Sequence, residues 1–294
     1  ETHSLEKLYV NDWDTSKIKD MGLAFHNTKS LTELDVSKWN TSNVTNLYGI
    51  FYGAESLKNI NLSNWNVNKV TNMQGAFSKT GLETLDLSSW NTSSVTNMEN
   101  LFQNSQYLTT LDVSNFDLTK VTSLSNVFSG ATSLTSLDLS SWNTSNVTNL
   151  YGIFYKTQSL TNLNISNWDV SKVKNMQGTF AYTGLTNLNV SDWNTQNVTN
   201  MSYTFDNTKS LKNIDVSKWN TSSVTTMTHM FAGQKTLEIL DLNNWDVTNV
   251  THMTHMFYQS SSLKEIRFSD WDTSNVTTLF YMFGHTSNLT TIDV

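Results

Sequence analysis

Ten tryptophans stand at positions 13, 39, 65, 90, 142, 168, 193, 219, 245 and 271, spaced 26, 26, 25, 52, 26, 25, 26, 26 and 26 apart. The gap of 52 is two periods, with Phe116 in the empty slot. A fixed period of roughly 20 to 50 residues marks a solenoid, because a unit that short cannot bury its own apolar face and must stack on its neighbours. The chain therefore reads as one continuous array over residues 1–294, with eleven units starting near residues 5, 31, 57, 82, 108, 134, 160, 185, 211, 237 and 263. Such an array presents a long regular surface, which favours binding over catalysis.

Within each unit the hydrophobic period changes. Leu34 and Val36 alternate with polar Asp35 and Ser37, the pattern of a half-buried strand of about four or five residues. Val44, Leu47, Ile50 and Phe51 are spaced by three or four and follow Thr41, Ser42 and Asn43, which are able to cap a helix, so this stretch predicts about two helical turns. The expected fold is an α/β repeat solenoid, a leucine-rich-repeat-like right-handed stack with one short strand and one short helix per unit and a parallel sheet on one face. A helix of roughly ten residues is marginal alone and would be held by its stacked equivalents.

LDVSKWNTSNVTNL from Leu34, LDLSSWNTSSVTNM from Leu85 and LDLSSWNTSNVTNL from Leu137 carry a closer likeness. The chain resembles the bacterial surface-protein 26-residue repeat, a branch of the BspA-like leucine-rich repeats, from Leu5 to Val294. The resemblance implies a non-catalytic extracellular module on the bacterial cell surface, an adhesin that meets a host or matrix glycoprotein or glycan through an extended repeat face. The alternative is a structural spacer that projects another domain. Neither reading follows from the scaffold alone, since repeat folds serve many partners.

A longer period lies above the first. NLYGIF at 46–51 returns at 149–154, NMQG at 72–75 returns at 175–178, and the shortened loops Lys79-Thr80-Gly81-Leu82 and Tyr182-Thr183-Gly184-Leu185 are also 103 residues apart. The four-unit block reads as duplicated together.

Charged residues are 15 % of the chain, the net charge is −7 and no Lys/Arg cluster is present, so the footprint of a nucleic-acid binder is missing. With no cysteine there is neither a disulfide framework nor a thiolate metal site. No apolar run approaches the roughly 18 residues that cross a bilayer, so membrane insertion by this segment is not expected. Glu1-Thr2-His3-Ser4 is not a signal peptide, and the chain stops at Ile292-Asp293-Val294 inside a strand, which reads as a segment excised from a longer surface protein whose signal and anchor lie elsewhere. Uncapped ends invite end-to-end self-association. There is no GxSxG, HExxH, phosphate-cradling glycine loop or cysteine nucleophile, so neither an enzyme nor a cofactor is expected.

Candidate site residues fall in columns. The aromatic column, Trp13, Trp39, Trp65, Trp90, Phe116, Trp142, Trp168, Trp193, Trp219, Trp245 and Trp271, reads as structural core, since its acceptance of Phe is what packing would allow. Asp86, Asp112 and Asp138, each four residues before an aromatic, could hold Ca²⁺ between stacked carboxylates, but replacement by Asn61, Asn164 and Asn189 elsewhere favours hydrogen bonding to nearby backbone. His229, His252 and His255 could converge on Zn²⁺ or Ni²⁺, although no carboxylate column completes the set and a solvated face is favoured. Tyr48, Tyr151, Tyr203 and Tyr281, with Tyr52, Tyr155 and Tyr258, stand off an Asn/Thr field and are the candidate ligand-binding residues, because tyrosine gives contact area at low entropic cost. Thr41, Thr92, Thr144, Thr195 and Thr221, and Thr45, Thr71, Thr96, Thr122 and Thr148, form ladders that raise a remote alternative, an ice-binding solenoid.

Overall fold

The computed structural model describes residues 4–293, so residues 1–3 and Val294 of the expected array lie outside the described residues. Among the described residues, eight of the eleven units open on a strand of three residues, those near 57, 185 and 211 having none, and a ninth strand follows the last unit: β1 Lys7–Tyr9, β2 Glu33–Asp35, β3 Thr84–Asp86, β4 Thr110–Asp112, β5 Ser136–Asp138, β6 Asn162–Asn164, β7 Ile239–Asp241, β8 Glu265–Arg267 and β9 Thr291–Asp293. All named pairs are parallel and in register one unit apart, with leucine or isoleucine at the centre: Leu8 with Leu34, Leu85 with Leu111, Leu137 with Leu163, Leu240 with Ile266 and Ile266 with Ile292. The central residue turns inward and its neighbours face solvent, as the alternation predicts. A second parallel ladder of single-residue bridges runs along the other side of the stack, through Asp20, Asn46, Asn72 and Asn97, then from Ser123 through Asn149, Asn175, Asn200, Thr226 and His252 to Thr278. The molecule is a β-solenoid of about eleven turns.

The expected helix is not there. Among the described residues no segment is helical, and the stretch after each bridge is a run of tandem turns. In the second unit Ile50, Tyr52 and Ala54 donate to the carbonyls of Leu47, Gly49 and Phe51, three residues back. The intervening N–H groups of Leu47, Gly49, Phe51 and Gly53 leave the unit and donate to Asn72, Gln74, Ala76 and Ser78 of the next. A helix would spend those donors on its own carbonyls four residues back. Gly49 and Gly53 make this possible by adopting positive φ, 51° and 72°, which breaks any α-helical run. Successive turns and a helix space their inward residues almost alike, so the apolar pattern did not separate them. In every unit these outgoing donors point the same way, toward the higher-numbered neighbour.

Two aromatic ladders fill the interior. Neighbouring indoles of the Trp column stack with centroids 6.2–6.5 Å apart, and the Phe column Phe25, Phe51, Phe77, Phe102, Phe128, Phe154, Phe180, Phe205, Phe231, Phe257 and Phe283 stacks beside it at 5.4–6.2 Å. From Trp39 to Trp245 the column, Phe116 included, is buried. The indole N–H is also used: those of Trp39, Trp142 and Trp219 donate to Val10, Val113 and Val190 of the preceding unit, each at 2.9 Å. Phe116 has no such donor, and the Asn115 side-chain amide reaches the Leu87, Ser88 and Trp90 carbonyls in its place. Two members depart from the expected core. Trp13 is 61 % exposed because no unit stacks on its outer side, and Trp271 is only partly buried, packed against Phe268 at 4.3 Å.

Candidate functional site

On the strand face the carboxylate column is consumed locally. Asp112 and Asp138 each accept the backbone N–H of the serine two residues on at 3.0 Å and its hydroxyl at 2.7 Å. These hydrogen bonds, side-chain first and backbone second, hold Asp86, Asp112 and Asp138 below the usual carboxylate range. Asp86 and Asp112 do stand in register on β3 and β4, but each faces its own turn. The histidines do not converge either. His229 and His255 stack face to face, 4.5 Å apart and 16° from parallel, while His252 belongs to the bridge ladder and lies 2.8 Å from the Thr251 hydroxyl. Burial, then the neighbouring His255, lowers the His229 pKa. Among the described residues no three His, Asp or Glu side chains are placed to share an ion.

The threonine ladders are structural staples. Thr41, Thr92, Thr144, Thr195 and Thr221 are buried and donate their hydroxyls to carbonyls of the next unit. Thr45, Thr71, Thr96 and Thr148 are more exposed, yet their hydroxyls are bonded to the preceding unit. An ice-matching face needs free, flat hydroxyl ranks, and neither ladder offers one.

The tandem-turn face gathers the tyrosines into three patches. Tyr48 and Tyr52 border a groove of about 390 Å³ with Gly49, Gln74, Gly75, Asn100 and Gln103. Tyr151, Tyr155 and Tyr203 border a second, of about 350 Å³, with Gly152, Gln177, Gly178, Tyr182 and Asp206. Tyr258 and Tyr281 join His255, Phe280 and His285 in an edge-and-face cluster. The seven predicted residues thus share one face but not one site.

The second groove has the more tyrosine-rich lining of the two. The rings of Tyr155 and Tyr182 stand 5.7 Å apart and 81° from parallel, so they make two walls at a corner. Asp206 lies at its base, 4 % exposed, accepting the Asn207 side-chain amide at 2.7 Å, with the Tyr182 phenol close enough to act on it. Burial pushes the Asp206 carboxyl up to about 6 against those two neighbours and the pull of Lys209. Burial, then the Asp206 charge, pushes the Tyr182 phenol up to about 12, and the same two causes raise Tyr203. Tyr182 and Tyr203 both hold φ near +59°, a conformation costing a side chain with Cβ about 1–2 kcal/mol.

Tyr182, Gln177 and Asp206 were not singled out from the sequence. The signal was present in the 103-residue duplication, where Tyr48, Gly49, Tyr52, Gln74 and Gly75 recur as Tyr151, Gly152, Tyr155, Gln177 and Gly178. Lys79, Asn100 and Gln103 recur instead as Tyr182, Tyr203 and Asp206. These three departures meet in one groove.

Three overlapping stretches, residues 1–110, 76–189 and 180–292, match the family described as "Mycoplasma protein of unknown function, DUF285". This match bears out the resemblance to the bacterial surface-protein repeat. No curated protein matches the sequence. Among solved structures, a leucine rich cell surface protein from Faecalibacterium prausnitzii A2-165 is 16 % identical over 99 % of this chain and 73 % of its own, with a TM-score of 0.41. A chain of the Drosophila Toll–Spatzle complex is 16 % identical over 83 % and 39 %, with a TM-score of 0.37. The functional domain of InlJ from Listeria monocytogenes is 14 % identical over 90 % and 62 %, with a TM-score of 0.21. The chain thus spans less than two thirds of the latter two.

Proposed function

The chain belongs to the DUF285 family, and we propose on that premise that it is a non-catalytic binding module of a bacterial surface protein, engaging a host or matrix glycoprotein or glycan through its tandem-turn face. The observation that carries this reading is the concentration of half-exposed tyrosines on that face, two of them bordering the second groove at strained positive φ. Tyrosine is the favoured contact residue of evolved binding surfaces. The strand face, by contrast, spends its polar groups on its own turns. Among the described residues no helix is long and apolar enough to cross a membrane. We assign the module to the extracellular side of the cell.

A screen of the purified chain against matrix proteins, mucins and a glycan array tests the proposal. Saturable binding lost on Tyr48→Ala or Tyr151→Ala supports it. Absence of any specific hit leaves a spacer, for which the unbroken Phe ladder along the stack would be the relevant feature.

A further inference from the structure

We infer that the groove at Tyr151, Tyr155, Tyr182, Tyr203 and Asp206 is a binding site for a small organic cation, a quaternary ammonium group held by tyrosine faces over a buried carboxylate. This deepens the reading above by naming the ligand chemistry of its more tyrosine-rich groove, and it rests on that reading.

Three observations support it independently. The first is shape: Tyr155 and Tyr182 meet at 81°, giving walls on two sides of a recess of about 350 Å³. A sugar ring stacks on one open aromatic face, whereas a rounded ammonium is best enclosed by rings at angles to one another. The second is charge. Asp206 is 4 % exposed, its side-chain hydrogen bond comes from the neutral amide of Asn207, and among the described residues no ion pair reaches it, so the carboxylate lacks a paired cation within the groove. Lys209 acts on it only through space, and the other titratable neighbour on this side, Tyr203, is itself neutral at physiological pH. Burial lifts the Asp206 pKa to about 6, and the pull of Lys209 does not reverse it.

The third is an internal precedent. Beside the first groove, outside its lining, the ammonium of Lys79 sits 5.1 Å from the centre of the Tyr52 ring, so the chain itself pairs an ammonium with this tyrosine. The equivalent of Lys79 is Tyr182, and the equivalent of Gln103 is Asp206. The second groove has therefore gained an aromatic wall at the position of Lys79 and exchanged a neutral amide for a carboxylate, while Lys156 keeps an ammonium on the outer side of Tyr155. Both changes favour a cation from outside. Lys156 lies over Tyr155 at 5.0 Å but is not part of the groove lining.

Isothermal titration of the whole chain with choline chloride and with tetramethylammonium chloride tests the assignment, with 3,3-dimethylbutan-1-ol as the uncharged analogue of the same shape. Wild type is expected to bind both cations saturably at one site and the neutral analogue at least about tenfold more weakly, as desolvated cation–π contacts imply. Asp206→Gln and Tyr182→Lys should each weaken choline by about tenfold or more. Both substitutions place the first groove's residue on the equivalent backbone, so the fold is expected to persist, and thermal unfolding checks it. A chain carrying Lys79→Tyr, Asn100→Tyr and Gln103→Asp should gain a second choline site. Absence of saturable cation binding to wild type, equal binding of the neutral analogue, or choline affinity unchanged in folded Asp206→Gln would each overturn the assignment.

Sedimentation with phosphatidylcholine and phosphatidylglycerol vesicles then separates the sources. Asp206-dependent capture by phosphatidylcholine alone identifies a lipid headgroup, and choline binding without capture identifies a soluble ligand. A glycan or matrix hit lost on Tyr151→Ala while choline does not bind would sink the cation assignment and keep the broader function. Choline binding with no such hit would do the reverse.

Discussion

The first and second grooves are copies of one piece of backbone with different contents. Both keep the tyrosine pair, the positive-φ glycines and the glutamine, which are the parts that shape the recess. They differ around it: Asn100 and Gln103 line one, with Lys79 beside it, and Tyr182, Tyr203 and Asp206 line the other. None of these positions belongs to the Trp, Phe or Leu ladders, so they were free to change without opening the core. A solenoid can thus duplicate a recess intact and then specialise one copy, because its stability resides in columns and its contents in single residues.

The largest expected break in the comparison is Asp206→Asn. The folded pKa of Asp206, about 6, lies above the ordinary 3.8, so its favourable contribution is complete below about pH 4 and is lost as pH rises through 6. The shift of about two units corresponds to about 3 kcal/mol. The variant should be more stable than wild type by up to about 3 kcal/mol at pH 8 and nearly equal at pH 4, measured by urea unfolding at both pH values. The matching Gln103→Asn in the first groove should show no such pH dependence, and an equal pH effect at both positions would erase the distinction.

Next come the shortened loops. A Cβ on Gly81 or Gly184 would collide with the backbone carbonyl of Glu55 or Gln158, which no rotamer change relieves. Gly81→Ala and Gly184→Ala should each cost about 1–3 kcal/mol in chemical denaturation. Only Gly184→Ala should also weaken choline, by moving the loop that carries Tyr182.

Smaller still is Tyr203→Asn, which restores the first groove's residue at a positive-φ position. Relief of backbone strain offsets lost packing, and the net stability change should stay within about 1 kcal/mol while choline affinity falls. The smallest effect lies outside both grooves. His229 has a lowered pKa, so its contribution is present above about pH 6.5 and is lost as pH falls below that value. In His229→Asn this acid-side loss should disappear from the urea midpoints between pH 7 and 5, opposite in sign to the Asp206 effect.

How far the sequence carried this picture depends on what repeats. The Trp period supplied the unit number and register, and alternation at Leu34 and Val36 found the strands, though they are three residues long. The turns at 47–54 read as helix because inward spacing of three to four suits both. The sign that separates them was the recurrence of Gly or Asn at positions such as Gly49, Gly75, Asn100, Asn126, Gly152 and Gly178, residues that tolerate positive φ. Tyr48, Tyr151 and Tyr203 were legible because aromatics stand out in a polar field. Asp206 was not, since its column otherwise holds residues such as Tyr52, Ser78, Gln103 and Tyr155, and periodicity averages away a single acid.

The one-way donation of N–H groups from each tandem turn to the next has an electrical consequence. Peptide dipoles that line up head to tail add, as they do along a helix axis. In this array the sum runs between units instead of along one segment, from the carbonyls of Asn46, Tyr48, Ile50 and Tyr52 in the second unit to those of Thr278, Phe280, Met282 and Gly284 in the last. The turn face is polarised lengthwise whatever charges its side chains carry, with its positive pole toward the higher-numbered units. Adding repeats would lengthen that rod while leaving the sense of its field unchanged.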